Sequence, residues 1–195
     1  MHSIEPYYRW RDDYTAEEDE QSPFYGREYS EFEFSNKIYN YFIHPQWDEF
    51  GSPTLYMKII FVDYAEQFAV IELLGEWNDC IQNDVMFLKR DVIDQLQEHD
   101  INKFIVIGEN VLNFHASDDC YYEEWYEDVM ESNGWICFLN FREHVIQEME
   151  SVQLQQFVNF DEPFNDINWR RIKPAALYLL VQHHLNNPKQ YYLTG

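Results

Sequence analysis

The residues best equipped for chemistry in this chain are His115, Ser117, Asp118 and Asp119, which follow one apolar run and precede an aromatic, acidic one. Ligand sites in α/β proteins favour the loop beyond the carboxyl end of a strand. An imidazole beside Asp118 or Asp119 could contribute to a divalent-cation site, and a small metal-dependent hydrolase built on the His115/Asp118 loop is one reading. A metal normally needs three or four ligands, and no second histidine motif such as HExxH is present. The spacing therefore predicts no metal site; an ordinary loop in which Ser117 caps the next helix accounts for the same residues. Glu123, Glu124, Glu127 and Asp128 could act as paired carboxylates in acid–base work. Their spacing instead places them on the outer face of a helix, where charge is solvated. His183 and His184 are adjacent and point in different directions on a helix, so they are not a ligand pair. The sequence holds no nucleophile elbow, no P-loop, no GxGxxG and no CxxC, and its six glycines leave little material for a phosphate-cradling loop. No catalytic residue and no cofactor are assigned.

The composition bears on the partner rather than on a reaction. The 195 residues suit one elaborated domain, and 46% hydrophobic with 18% aromatic content rules out a disordered chain. A net charge of −23 repels phosphate backbones and anionic membranes, so direct nucleic-acid or membrane binding is not expected, and the charge would favour a basic protein partner or bound cations, though a solvated acidic surface accounts for it as well. Cys80, Cys120 and Cys137 show no metal spacing, and an odd count fits reduced thiols. Met1-His-Ser-Ile-Glu-Pro6 has neither the basic nor the apolar region of a signal peptide, and no apolar run approaches a bilayer span. A cytoplasmic location is expected.

The elements that must position these residues follow from periodicity. Residues 1–35 form an acidic, aromatic arm: up to residue 33, ten acids stand against Arg9, Arg11 and Arg27, a balance of −7. Tyr7, Tyr8, Trp10, Tyr14, Phe24 and Tyr25 would pin it onto the domain or onto a partner subunit. Residues 36–160 read as the α/β core. Asn36–Ile43 suits one strand, and Leu55–Tyr64 with Phe68–Leu74 suits a hairpin turning near Asp63–Gln67. The run Phe68-Ala-Val-Ile-Glu-Leu-Leu74 ends at Gly75 and fits a strand covered on both faces. Ile81, Val85, Leu88, Val92 and Leu96 make the stripe of a helix from about Asp79 or Asn83 to Glu98. Phe104–Ile107, ending at Gly108, is the next strand. A helix then starts after Ser117, with Tyr121, Tyr122, Trp125, Tyr126, Val129 and Met130 in an aromatic band, and stops at Asn133-Gly134. Trp135–Phe141 is a strand, about Arg142–Ser151 a helix, and Val152–Phe160 a short extended segment. Residues 161–195 form a C-terminal extension whose helix spans about Pro174 to Asn186, with Leu177, Leu180, Val181 and Leu185 inward and Asn186-Asn187-Pro188 as its stop. From residue 163 onward only Asp166 is acidic, against Arg170, Arg171, Lys173 and Lys189, a balance of +3. This segment is expected to dock on acidic surface of its own chain or of a second subunit, so a homodimer through the arm or the last helix is a candidate arrangement.

Residues 55–150 resemble the STAS/SpoIIAA-like, anti-sigma-factor-antagonist family. The order is similar: a hairpin, the segment Leu73-Leu-Gly-Glu-Trp-Asn-Asp79, a helix, a strand, an acidic helix, a strand and a helix. Gly75-Glu76 resembles the family's strand-ending pair, and Tyr122-Glu-Glu-Trp-Tyr-Glu-Asp128 its tryptophan-plus-acid helix. Val111–Ser117 falls where the family carries a strand-to-helix loop with a phosphorylatable serine. The family's Asp-Ser-Ser-Gly is replaced here by His115-Ala-Ser-Asp118, and flanking acids would repel a phosphate on Ser117. The resemblance implies a mixed β-sheet with helices packed on it, and a non-enzymatic protein-interaction module without a cofactor.

The combined expectation is a non-catalytic, cytoplasmic interaction or regulatory module. Its candidate binding surface comprises His115, Ser117, Asp118, Tyr121, Tyr122 and Trp125. An acidic mimic that inhibits a nucleic-acid-binding protein is the alternative, since carboxylates arrayed on a helix can imitate phosphates.

Overall fold

A computed structural model describes residues 4–30 and 32–187. Met1–Ser3, Glu31, Pro188 and Lys189, used above for the leader, the arm's charge, the last helix's stop and the basic tail, lie outside the described residues. The centre is a mixed four-stranded sheet in the order β3-β4-β5-β6, formed by β3 (Leu55–Asp63), β4 (Phe68–Asn78), β5 (Lys103–His115) and β6 (Trp135–Leu139). β3 and β4 are antiparallel; β4, β5 and β6 are parallel. The two parallel pairings need crossovers, supplied by helices packed on the sheet. The first is a continuous helical segment of α1 (Asp84–Leu88), a π-turn (Lys89–Ile93) and α2 (Asp94–Gln97). The second is α3 (Cys120–Glu131). Beyond β6, α4 (Glu143–Ser151) and α5 (Pro174–Asn186) complete the described chain. The observed order is the one expected over residues 55–150, and the fold is α/β with a mixed sheet.

Alternation along the strands sends side chains to two separately covered faces. On the first face Ala69, Ile71, Leu73, Phe104 and Val106 meet Val85, Leu88, Val92, Trp125, Val129, Val145 and Met149 of the helices. On the second, Phe68, Val70, Ile105, Ile107 and Leu139 are covered by the two ends of the chain, through Tyr7 and Trp10 from the arm and Trp169, Leu177, Tyr178 and Val181 from the C-terminal extension. The arm's aromatic anchors thus pack on its own chain. Trp10 donates its indole N–H to Ile172 O (3.2 Å) and lies edge-on to Trp169, with ring centroids 5.5 Å apart. Tyr8 and Tyr25 remain exposed.

Several local expectations are corrected. Residues 36–43 are not one strand but a small hairpin, β1 (Lys37–Ile38) against β2 (Tyr41–Phe42), because Tyr39 turns the chain at a φ of 54°. Gly75 and Gly108 do not end their strands; β4 runs on to Asn78 and β5 to His115, with pairing irregularities at both places. Ile81 is 75% exposed, since residues 79–82 form a turn before α1 rather than its first turn. The π-turn widens the helix, so that both Val92 and Ile93 reach the core. Ser117 does not cap α3; Asp119 holds the capping position, and no side chain bonds there. Val152–Phe160 contains a 3₁₀ turn, Leu154–Gln156. It then lays Asn159 against Cys137 as a one-residue parallel bridge on the outer edge of β6.

Candidate functional site

Side chains with chemical potential gather where β4 and β5 end side by side, with Asn78 paired to His115. The backbone ties the two ends together: Asp79 N–H (2.9 Å) and Cys80 N–H (3.2 Å) both donate to His115 O. Asp79 is buried and its oxygens are taken by core donors. Oδ1 accepts from Trp77 Nε1 (2.9 Å) and Val85 N–H (2.8 Å), and Oδ2 from the Tyr122 hydroxyl (2.6 Å). Burial pushes the Asp79 carboxyl up to about 6, against the pull of these hydrogen bonds. Burial and the neighbouring Asp79 together hold the Tyr122 phenol well above its ordinary value. Asp84 accepts from Asn78 N–H (2.7 Å), fixing the start of α1, and its carboxyl too is raised by burial. These groups are braced inward as struts between β4, α1 and α3.

The structure divides the six residues expected at the binding surface. His115, the last residue of β5, and Ser117 and Asp118 in the loop that follows it are exposed, and Tyr121 is half-buried with the Arg90 guanidinium 5.6 Å from its ring centre. Asp118 accepts weakly from Cys120 N–H (3.4 Å). Tyr122 and Trp125 are not surface residues: both are buried beneath α3, where their aromatic bulk removes apolar area from water. Trp125 meets Phe104 edge-on at 5.4 Å, and its indole N–H finds no acceptor among the described residues. Among the described residues no three or more histidine, cysteine, aspartate or glutamate side chains come together as a group that could hold a metal ion.

The acids of α3 separate into two sets. Glu124 takes a two-pronged bond from Arg90 (2.6 and 2.7 Å), and Asp128 lies 2.7 Å from the Nζ of Lys89, a lysine only 1% exposed that also binds Asp94. These pairs tie α3 to the preceding helix. Glu123, Glu127 and Glu131, four residues apart, face solvent in a row. The helix is amphipathic as its pattern implies, with aromatics inward and acids outward.

Two features escaped the sequence reading. The first is a buried network on the second face of the sheet. Glu72 of β4, fully buried, accepts from Tyr7 N–H (2.8 Å) and Arg170 Nη2 (3.2 Å). Glu109 of β5 accepts from Trp169 Nε1 (2.7 Å), Asn140 Nδ2 (3.1 Å) and Arg170 Nη2 (2.6 Å). Burial pushes Glu72 up to about 7. Burial also lifts Glu109, but hydrogen bonds from Arg170, Asn140 and Trp169 outweigh it and leave that carboxyl below its usual range. Basic residues of the extension therefore dock within the chain, and Lys173 does likewise on Asp13 (2.8 Å). The signal was Glu72 itself, an acid alone in an apolar run. The second feature is an open groove of about 850 Å³ between α4 and α5, floored by Phe141, Phe160 and Phe164. Its signal was weaker: Glu143, Ile146 and Glu150 share one helical face, but nothing local announces the opposite wall. No helix among the described residues is long and apolar enough to cross a membrane.

No family model matches the chain, and no curated protein matches it. Among solved structures, it is similar to a crystal structure of a candidate anti-sigma factor antagonist from Thermotoga maritima, at 16% identity over 64% of this chain and 92% of that one, with a TM-score of 0.42. An NMR structure of the same protein gives 16% identity, 65% and 88% coverage and a TM-score of 0.40. The first of these carries the name of the group that residues 55–150 resemble, and at such TM-scores neither adds an argument about what this chain binds.

Proposed function

We propose that this chain is a non-catalytic interaction or regulatory module that acts by contact with a basic protein. The observation that carries this reading is α3. Its buried side, through Tyr122 on Asp79 and Trp125 on Phe104, fixes the helix to the sheet, while Glu123, Glu127 and Glu131 project as an ordered row into solvent. A rigid row of like charge steers and orients an oppositely charged partner with little ordering cost on its own side. His115, Ser117, Asp118 and Tyr121 border the row and complete the proposed surface; Tyr122 and Trp125 support it from beneath. The buried carboxyls Asp79 and Asp84 serve as braces in this reading.

The test is affinity capture from host extract on the immobilised protein, in parallel with a Glu123→Lys/Glu127→Lys/Glu131→Lys variant. The expected result is a basic protein that binds the wild type, elutes as salt rises from about 0.05 to 0.5 M, and is lost by the variant. Capture of nothing, or capture indifferent to both salt and the triple change, would sink the reading.

A further inference from the structure

The groove between α4 and α5 has the form of a docking site, and its walls are fixed before any partner arrives. On one side α4 is anchored by Val145 and Met149, both buried. On the other, residues 159–165 are strapped to the end of β6. Phe138 N–H donates to Asn159 O (2.8 Å), Asn159 N–H to Ile136 O (3.0 Å) and Asn140 N–H to Phe164 O (3.0 Å). The Asn165 side chain closes the strap by donating to Phe160 O (2.8 Å). The floor is aromatic, and half-buried Ile146 stands on the α4 wall. A preformed cleft of this size with an apolar floor accommodates one or two large side chains.

The rim restricts what those side chains belong to. Glu143 and Glu150 on α4, and Asp161 and Glu162 on the opposite wall, are all exposed. Among the described residues lining the groove there is no lysine or arginine. His184, at the α5 end, is held below its ordinary value by burial and by the neighbouring His183, so it adds little positive charge near neutrality. An anionic amphiphile would meet four carboxylates, whereas a cationic chain with an apolar anchor meets both of its needs.

We infer that the groove between α4 and α5 binds a basic amphipathic segment of a partner protein, seating a large apolar side chain on Phe141, Phe160 and Phe164 with lysines or arginines against Glu143, Glu150, Asp161 and Glu162. This rests on the reading of the chain as a protein-interaction module, and it adds a second contact surface separate from the α3 row.

The probe is a synthetic helical peptide of about 16 residues, long enough to lie along α4, with leucines on one face and lysines on the other. Titration calorimetry would be run on the full chain, on Glu143→Lys/Glu150→Lys in the groove, and on the charge-matched pair Glu123→Lys/Glu127→Lys on α3. All four positions are exposed, and each pair reverses one first-turn acid (Glu143 or Glu123), so the two variants carry a matched helix-dipole cost. The groove pair is expected to weaken binding about tenfold or more, and the α3 pair less than about threefold. A peptide with serine replacing leucine should lose binding, and Ile146 methyl resonances should shift with the leucine peptide alone. Equal weakening by both pairs, retention of the serine peptide, or no binding at all would overturn the groove. Weakening by the α3 pair alone would overturn it while leaving the interaction reading intact, and that reading stands or falls separately by the extract capture. Self-association of the chain abolished by Glu143→Lys/Glu150→Lys would assign the groove to a second copy and overturn the proposal as stated.

Discussion

At the residue scale, burial of Glu72 ties the stability of the fold to pH. Glu72 occupies a position on the second face of the sheet where Phe68 and Val70 precede it, and its carboxylate is tolerated because Tyr7 N–H and Arg170 reach it. Its ordinary value of 4.5 rises to about 7 in the folded chain. Between those values the folded chain keeps a proton that the unfolded chain has released. The favourable contribution is therefore full below 4.5 and is lost as pH rises towards 7. Glu72→Gln cannot ionise and should lack this slope. We expect the variant to gain about 2–3 kcal/mol on the wild type between pH 4.5 and 7.5, read from urea unfolding at each pH; parallel curves would contradict the assignment. An isolated acid in an apolar run is visible in the sequence, but its partners lie at residues 7 and 170, and no local pattern reaches that far. The same limit explains Tyr122 and Trp125. Periodicity placed them in the aromatic band of α3, and the packing of that band on Phe104 and Asp79 buries them fully.

At the scale of elements, the glycines carry the lesson. Gly75 and Gly108 read naturally as stops, yet both lie within strands. Gly75 has a φ of 128°, and a β-carbon there would sit 2.1 Å from Thr54 O. We expect Gly75→Ala to cost about 2–4 kcal/mol through backbone strain and overpacking, measured as a lower urea midpoint with an unchanged slope; a loss under about 0.5 kcal/mol would show that β3 and β4 shift apart freely. Gly108 lacks a side chain for a different reason, since the ring of Phe141 occupies the place a β-carbon would take. The order of hairpin, helix, strand, helix, strand and helix was legible because each element buries one or both faces and so prints a period. The boundaries were less so, because bulges and the π-turn at Lys89–Ile93 interrupt a period without leaving a sequence mark. The groove between α4 and α5 was illegible for a different reason: its two walls come from elements with separate periods.

At the scale of the molecule, the two ends of the chain cover one face of the sheet together. Trp10 is the hinge of that cover, 2% exposed and in contact with Trp169 and Tyr7. We expect Trp10→Ala to cost about 3–5 kcal/mol and to raise amide exchange in α5 as well as in the arm, since both rest on one cluster. Exchange confined to the arm would show the two covers to be independent. The reversal of charge in the tail was legible as a tendency to dock on acid; which acids received it, Glu72, Glu109 and Asp13, depended on the fold. The shared cover also bears on how the protein is made. Synthesis runs from residue 7 towards residue 181, so the sheet with Phe68, Val70, Ile105 and Ile107 is complete while Trp169, Leu177 and Val181 are still within or behind the ribosome. For that interval this apolar side of the sheet has the arm's Tyr7 and Trp10 as its cover, and the face closes only once synthesis has passed residue 181.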